Sequence, residues 1–299
     1  MLPMIRKMNN QYSSGLIESV IQKNYFPRLE FVDKRERKVF FSYIRGFSPI
    51  IFDLNIQNIL EIGGGQSTYL LCHLANRLNF SLSTIDMNPL SIKNKLKSLE
   101  ITEDIIQKIN FIKGYTISPN LINKFYEEEE IKIGKYKLEY VLKYSEEFID
   151  ISLDDRKVLN VCKALNLQSF NFETILKTLS THKKIPKDLL DVYRTKYDEF
   201  NFSDEYKKIS SCLEKSLKNL RPNAIFLDSG EFSSLLEWNL VYQFQQKGDY
   251  IILHDIFFPK SIKNWLVAAS IKADPSYEIL YIDRSTPQGF LIAMKKKNN

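Results

Sequence analysis

ILEIGGGQST, residues 59–68, sets an aliphatic run directly before three consecutive glycines, which lead through a short polar stretch into the apolar TYLLCHL. The chain has only ten glycines in 299 residues. Glycine loses the most backbone freedom on folding. Three in a row between a strand pattern and a helix pattern therefore mark backbone held where a side chain would obstruct something.

Working outward, NILEI reads as a buried strand, QSTYLLCHLANRL as a helix and LSTID as a second strand. PLSIKNKLKSLEITEDIIQKI reads as one or two helices opened by Pro89, and INFIKG as a third strand. This β-α-β-α-β series of continuous apolar strands implies a parallel sheet covered on both faces. The alternation resumes with NAIFLDSG, FSSLLEWNLVYQFQQ, DYIILHD and KSIKNWLVAASIK. YEILYID and GFLIAMK are too close together for a helical crossover and so pair antiparallel. The expected fold is α/β: a doubly wound, Rossmann-like, seven-stranded sheet with an antiparallel last strand, formed by residues 51–115 and 221–299. Residues 1–50 read as an aromatic helical segment ending in VFFSYIRGFSPIIF. Residues 116–220 read as a helical insertion rich in lysine and glutamate, with EEEE at 127–130 and the periodic ISSCLEKSLKNL. Leaving from the end of the third strand, it is expected to cap the acceptor site or form a homo-oligomer contact.

Composition excludes several classes. Hydrophobic content of 44% and charged content of 26% are those of an ordinary soluble protein. The net charge of +6 comes from lysines scattered among glutamates, so no nucleic-acid footprint is indicated. Cys72, Cys162 and Cys212 lack metal-ligand spacing and read as reduced thiols. With no apolar signal core in MLPMIRKMNN and no run long enough to span a bilayer, a cytoplasmic protein without a membrane partner is expected.

The glycine triplet sits at the first strand-to-helix turn, where ligands meet free backbone amides and a helix N-terminus. Asp86 ends the second strand, 21 residues after Gly65, where a carboxylate can accept hydrogen bonds from ribose hydroxyls. The turn lacks the third glycine of a dinucleotide fingerprint, carrying Thr68 there, and Glu61 suits an ammonium-bearing ligand better than a pyrophosphate.

EIGGG resembles the first motif of class I S-adenosylmethionine-dependent methyltransferases, an acidic residue followed by a glycine-rich turn. The resemblance covers 51–115 and 221–299. It implies S-adenosylmethionine as cofactor, with Glu61, Gly63 and Gly65 around the methionine part, Asp86 on the ribose, and Gly64 and Ser67 also in the cofactor site. Many members carry an acid after the third strand to read the adenine amino group. KGYTIS offers Tyr115 instead, leaving stacking or backbone contacts for the adenine.

Chemistry is expected at the ends of the fourth and fifth strands, where LDSGEF supplies Asp228 and Glu231 and LHDIFF supplies His254 and Asp255. Methyl transfer is an in-line displacement, so these residues would orient a hydroxyl nucleophile and remove its proton. Two routes stay open: Asp228 and Asp255 hold a divalent ion such as magnesium, or His254 acts as a base oriented by a carboxylate. The strand ends resemble those of small-molecule O-methyltransferases, some of which bind such an ion, although Ile256 stands where some have an asparagine ligand. Trp238, Phe257, Phe258 and Trp265 are candidates for shaping an acceptor pocket, whereas His73 reads as structural and His182 as solvated loop. The acceptor expected is a small hydroxylated molecule, sugar-like or polyketide-like. An aminopropyltransferase on the same fold is the alternative, and a nicotinamide-dependent oxidoreductase a less favoured one. A nucleic-acid methyltransferase is disfavoured because the fourth strand ends in DSGE.

Overall fold

The computed structural model describes residues 34–52, 54–126, 128, 130–149, 211–230, 233–258, 261, 263–286 and 288–298. Nine strands occur among them: β1 (Asn58–Ile62), β2 (Ser81–Asp86), β3 (Asn110–Lys113), β4 (Lys132–Ile133), β5 (Tyr136–Lys137), β6 (Ala224–Leu227), β7 (Tyr250–His254), β8 (Tyr277–Asp283) and β9 (Phe290–Lys295). The helices are α1 (Lys34–Phe52), α2 (Gln66–Leu78), α3 (Pro89–Ser98), α4 (Glu103–Gln107), α5 (Pro119–Tyr126), α6 (Leu138–Leu142), α7 (Leu213–Leu220), α8 (Ser234–Phe244) and α9 (Trp265–Ala273). The seven-stranded sheet runs β3-β2-β1-β6-β7-β9-β8. The first five of these pair in parallel, while β9 is antiparallel to both β7 and β8. This is the Rossmann-like sheet with an antiparallel last strand that the sequence implies.

Side-chain alternation sorts the strands onto two faces. Leu60, Ile62, Ile225, Leu227, Ile251 and Leu253 join a core under α7, α8 and α9, whereas Ile59, Phe226 and Ile252 join a second core under α1 and α2. On that second face Phe47 of α1 packs edge-on against Phe226 and Phe290, at centroid distances of 5.1 and 5.3 Å. A Cβ on Gly46 would lie 2.3 Å from the Phe290 ring, so glycine is what lets α1 come this close to the sheet.

The described parts of 116–220 share the core of the sheet. Ile117, Ile122, Phe125, Ile133, Val141, Phe148, Leu213 and Leu217 are all buried in the same cluster as Leu60 and Leu253. They include a short antiparallel hairpin, Lys132–Ile133 with Tyr136–Lys137, turning through Gly134 at φ +63°. The sequence reading expected only helices there. Residues 150–210, the larger part of the segment expected to cap the site or form an oligomer contact, lie outside the described residues, and His182 and Cys162 with them. No helix among the described residues is long and apolar enough to cross a membrane.

Candidate active site

The glycine turn is built mainly by the protein's own packing. Gly63 has φ +88°, and a Cβ there would meet the Asp228 carbonyl oxygen at 2.6 Å, because Asp228 N–H donates to the Ile62 carbonyl and draws the two strand ends together. A Cβ on Gly64 would meet Ile92 at 2.3 Å and Thr84 at 2.7 Å. Gly65 differs: it is exposed, and a Cβ there would meet nothing within 4 Å. Two glycines thus answer to internal contacts, and only the third opens outward at the N-terminus of α2.

Glu61 underlies this turn. Alternation directs it to the α2 face, where it is fully buried and accepts from Ser67 Oγ at 2.6 Å, Thr68 Oγ1 at 2.7 Å and Thr84 Oγ1 at 2.7 Å. Thr68 Oγ1 also accepts the Gly65 N–H at 2.9 Å. Burial raises the Glu61 carboxyl to about 7, against the opposing pull of its three hydroxyl donors. Glu61 and Ser67 therefore spend their polar atoms on holding the turn.

Asp86 is half-buried at the end of β2 and accepts the Asn88 N–H at 2.6 Å. Burial raises its carboxyl above the ordinary carboxylate range, with the Asn88 and Gly64 amides pulling it back. The Asp86 carbonyl accepts the Gly114 N–H, which puts the half-buried Tyr115 at the same sheet edge. The Tyr115 carbonyl in turn accepts the Cys212 N–H at 2.8 Å.

At the ends of β6 and β7 the alternation that points Phe226 and Ile252 toward α1 carries Asp228 and His254 to the same side. Asp228 Oδ2 accepts from Tyr43 Oη at 2.6 Å and lies 3.3 Å from His254 Nδ1. His254 is buried, its Nε2 is 3.3 Å from Ser42 Oγ, and its ring packs on Tyr43 at a centroid distance of 4.5 Å. Asp255 follows at φ +59°, a left-handed conformation for a non-glycine residue, with its Oδ2 3.7 Å from His254 Nδ1. The Lys263 ammonium bridges the carboxylates, 3.3 Å from Asp228 Oδ1 and 3.1 Å from Asp255 Oδ2. Burial alone would raise Asp228, but His254 and Lys263 overcome it and hold the carboxyl well below its usual range. Burial lowers His254, yet Asp228 and Asp255 outweigh it and the imidazole is raised. Lys263 is raised by the same two carboxylates against burial and keeps its charge.

The structure thus brings Asp228, His254 and Asp255 together, while Glu231 lies outside the described residues. Trp238, Phe258 and Trp265 are wholly buried and Phe257 nearly so, which corrects the expectation of an acceptor pocket: these rings fill the core, and Trp238 Nε1 donates to Ser270 Oγ. Sequence reasoning missed three residues. Tyr43 and Lys263 carry no local signal. Glu237 does carry one, as a lone charge in the apolar helix SLLEWNLVYQF. It is fully buried and accepts from Thr116 Oγ1 and Ser229 Oγ, joining the segments after β3 and β6.

The set fits the two implied groups differently. An exposed glycine with open space where a Cβ would point, and a half-buried carboxylate at the next strand end, suit an adenosine-bearing ligand. Asp228, His254 and Asp255 offer metal-ligand atoms within 4.8 Å of one another, but the Lys263 ammonium already bridges the two carboxylates, so a divalent ion does not fit there.

No family model and no curated protein matches the chain. Among solved structures, the crystal structure of the O-methyltransferase from Bacillus cereus in complex with SAH matches over 94% of this chain and 97% of that one, with 11% identity and a TM-score of 0.37. The fold assignment rests on the strand order and direction described above.

Proposed function

We propose that the chain is an S-adenosylmethionine-dependent methyltransferase acting on a hydroxyl of a small acceptor. One juxtaposition carries this reading: the outward-facing Gly65 turn with Asp86, and the Asp228–Lys263–Asp255 cluster, share one sheet edge and meet where Gly63 packs against Asp228. When bound, the cofactor supplies an electrophilic methyl group on a sulfonium.

Asp86 would accept hydrogen bonds from the ribose hydroxyls, and the Gly65 turn would let the ligand approach the α2 N-terminus. Asp255 and Lys263, with side chains 12% and 21% exposed, are the members of the cluster that an acceptor can reach, whereas Asp228 at 6% and His254 at 5% lie behind them. We therefore assign Asp255 to accept the hydroxyl proton at its carboxylate as the acceptor oxygen takes the methyl carbon and the methyl–sulfur bond breaks with its electron pair left on sulfur, and Lys263 to steady the acceptor oxygen. His254 and Asp228 position that pair. Burial of both ring nitrogens against Ser42 and the carboxylates favours this role for His254 over that of a direct base.

Isothermal titration of the full chain with S-adenosylhomocysteine, decarboxylated S-adenosylmethionine and NAD tests the reading. Micromolar binding of S-adenosylhomocysteine with at least tenfold preference over the other two is expected, a gap of about 1.4 kcal/mol. Preference for the decarboxylated ligand would favour aminopropyl transfer, and preference for NAD an oxidoreductase.

A further inference from the structure

We propose that Lys263 is a built-in cation that stands in the metal position of the Asp228–His254–Asp255 group and closes that group to divalent ions. The three residues are the one set of His, Cys, Asp and Glu among the described residues whose ligand atoms converge, all within 4.8 Å. A hard divalent ion there would take carboxylate oxygens as its main ligands. Three of those four oxygens are engaged: Asp228 Oδ1 and Asp255 Oδ2 by the Lys263 ammonium, and Asp228 Oδ2 by the Tyr43 hydroxyl. An ion bound to the same oxygens would face the ammonium at contact distance, with like charges in a nearly buried space.

The lysine is also held at its own backbone. Lys263 N–H donates to Ser261 Oγ at 3.2 Å, and the Lys263 carbonyl accepts from Ser234 Oγ at 2.7 Å. The next residue, Asn264, is fully buried and donates its side-chain amide to the Leu227 carbonyl at 3.0 Å and the His254 carbonyl at 2.8 Å. The ammonium is thus delivered by backbone pinned to the strand ends that carry Asp228 and Asp255, unlike a surface lysine on a mobile stem. Resting on the methyltransferase reading, in which Lys263 meets the acceptor oxygen, the proposal makes the transfer independent of divalent metal.

The probe is Mn²⁺ alone, followed by electron paramagnetic resonance and by thermal shift on the full chain, in wild type, Lys263→Ala and Lys263→Gln. Wild type should retain no Mn²⁺ at the cluster. Lys263→Ala should gain one site, in the range of about 0.1–1 mM typical of weak oxygen-ligand sites, and be stabilised by the ion; adding Asp255→Asn should remove that site. One equivalent bound by wild type and lost with Asp255→Asn would overturn the proposal. Folded Lys263→Ala and Lys263→Gln that bind no Mn²⁺ would overturn it too, because the lysine would then not occupy a metal position. Should neither variant fold, wild type decides by the same criterion. Titration with S-adenosylhomocysteine, run in parallel, reports on the cofactor reading separately, since the glycine turn and Asp86 take no part in the Mn²⁺ result.

Discussion

Two buried carboxylates stand at the same sheet edge and are satisfied in opposite ways. Glu61 accepts three hydroxyl donors, while Asp228 accepts one hydroxyl and faces the His254 imidazole and the Lys263 ammonium. Their proton affinities diverge accordingly: Glu61 is pushed up to about 7 by burial, whereas Asp228 is held well below the usual range by His254 and Lys263 despite its burial. Neutral donors fill lone pairs but restore only part of the lost hydration of a charge. A neighbouring cation restores much more. The first arrangement tolerates a neutral acid and serves as scaffold, whereas the second keeps charge at the edge where chemistry is proposed.

The largest expected effect would break that contrast at Lys263. Lys263→Met leaves Asp228 and Asp255 without their shared cation, and breaking such a pair costs about 3–5 kcal/mol. Denaturant unfolding at neutral pH should show a loss of that order; a loss within about 0.5 kcal/mol, as for an ordinary surface substitution, would place the ammonium in the same weak class as hydroxyl donors.

Glu61→Gln sharpens the comparison from the other side. The folded-state carboxyl titrates at about 7 against 4.5 for its ordinary value, so the folded chain holds this proton longer than the unfolded one. Stability linked to Glu61 is therefore full below the ordinary value and is lost as pH rises to about 7. Relative to Glu61→Gln, wild type should lose about 3 kcal/mol across that window, from about 1.36 kcal/mol per pH unit. Unfolding curves of both proteins at several pH values check this, and a pH-independent difference would mean the hydroxyls compensate the charge fully.

Gly64→Ala, which forces a methyl group onto Ile92 and Thr84, should destabilise by about 1–3 kcal/mol. Asp86→Ala should weaken S-adenosylhomocysteine about 10- to 100-fold by calorimetry, or about 1.4–2.7 kcal/mol, without moving the melting midpoint appreciably. Unchanged affinity would remove Asp86 from the site. The smallest effect on folding belongs to Gly65→Ala, whose Cβ meets open space; its stability should change by less than about 0.5 kcal/mol.

The sheet was legible because its strands are continuous apolar runs separated by helical periods. QSTYLLCHLANRL and NILEI become α2 and β1 residue for residue. The β4–β5 hairpin was not, because two residues per strand leave no alternation to detect among lysines and glutamates. Within the site, Asp228, His254 and Asp255 announced themselves as polar ends of apolar strands. Tyr43 and Lys263 did not: one hides in an aromatic helix 185 positions before its partner Asp228 and the other in a loop 35 positions after it, and only the folded chain joins them. That Asp228 and His254 share a side was foreseeable from strand parity, whereas the left-handed backbone that brings Asp255 to them and the cation that bridges the carboxylates were not.

The side-chain amide of Asn264 works as a length gauge. By gripping the carbonyls that end β6 and β7, it fixes where the chain re-enters after Asp255, however many residues lie between. Upstream, Phe258 is already moored through its N–H to the Phe148 carbonyl. With Phe258 and Asn264 each moored to backbone, the place of the lysine relative to Asp228 and Asp255 is set by the strand ends.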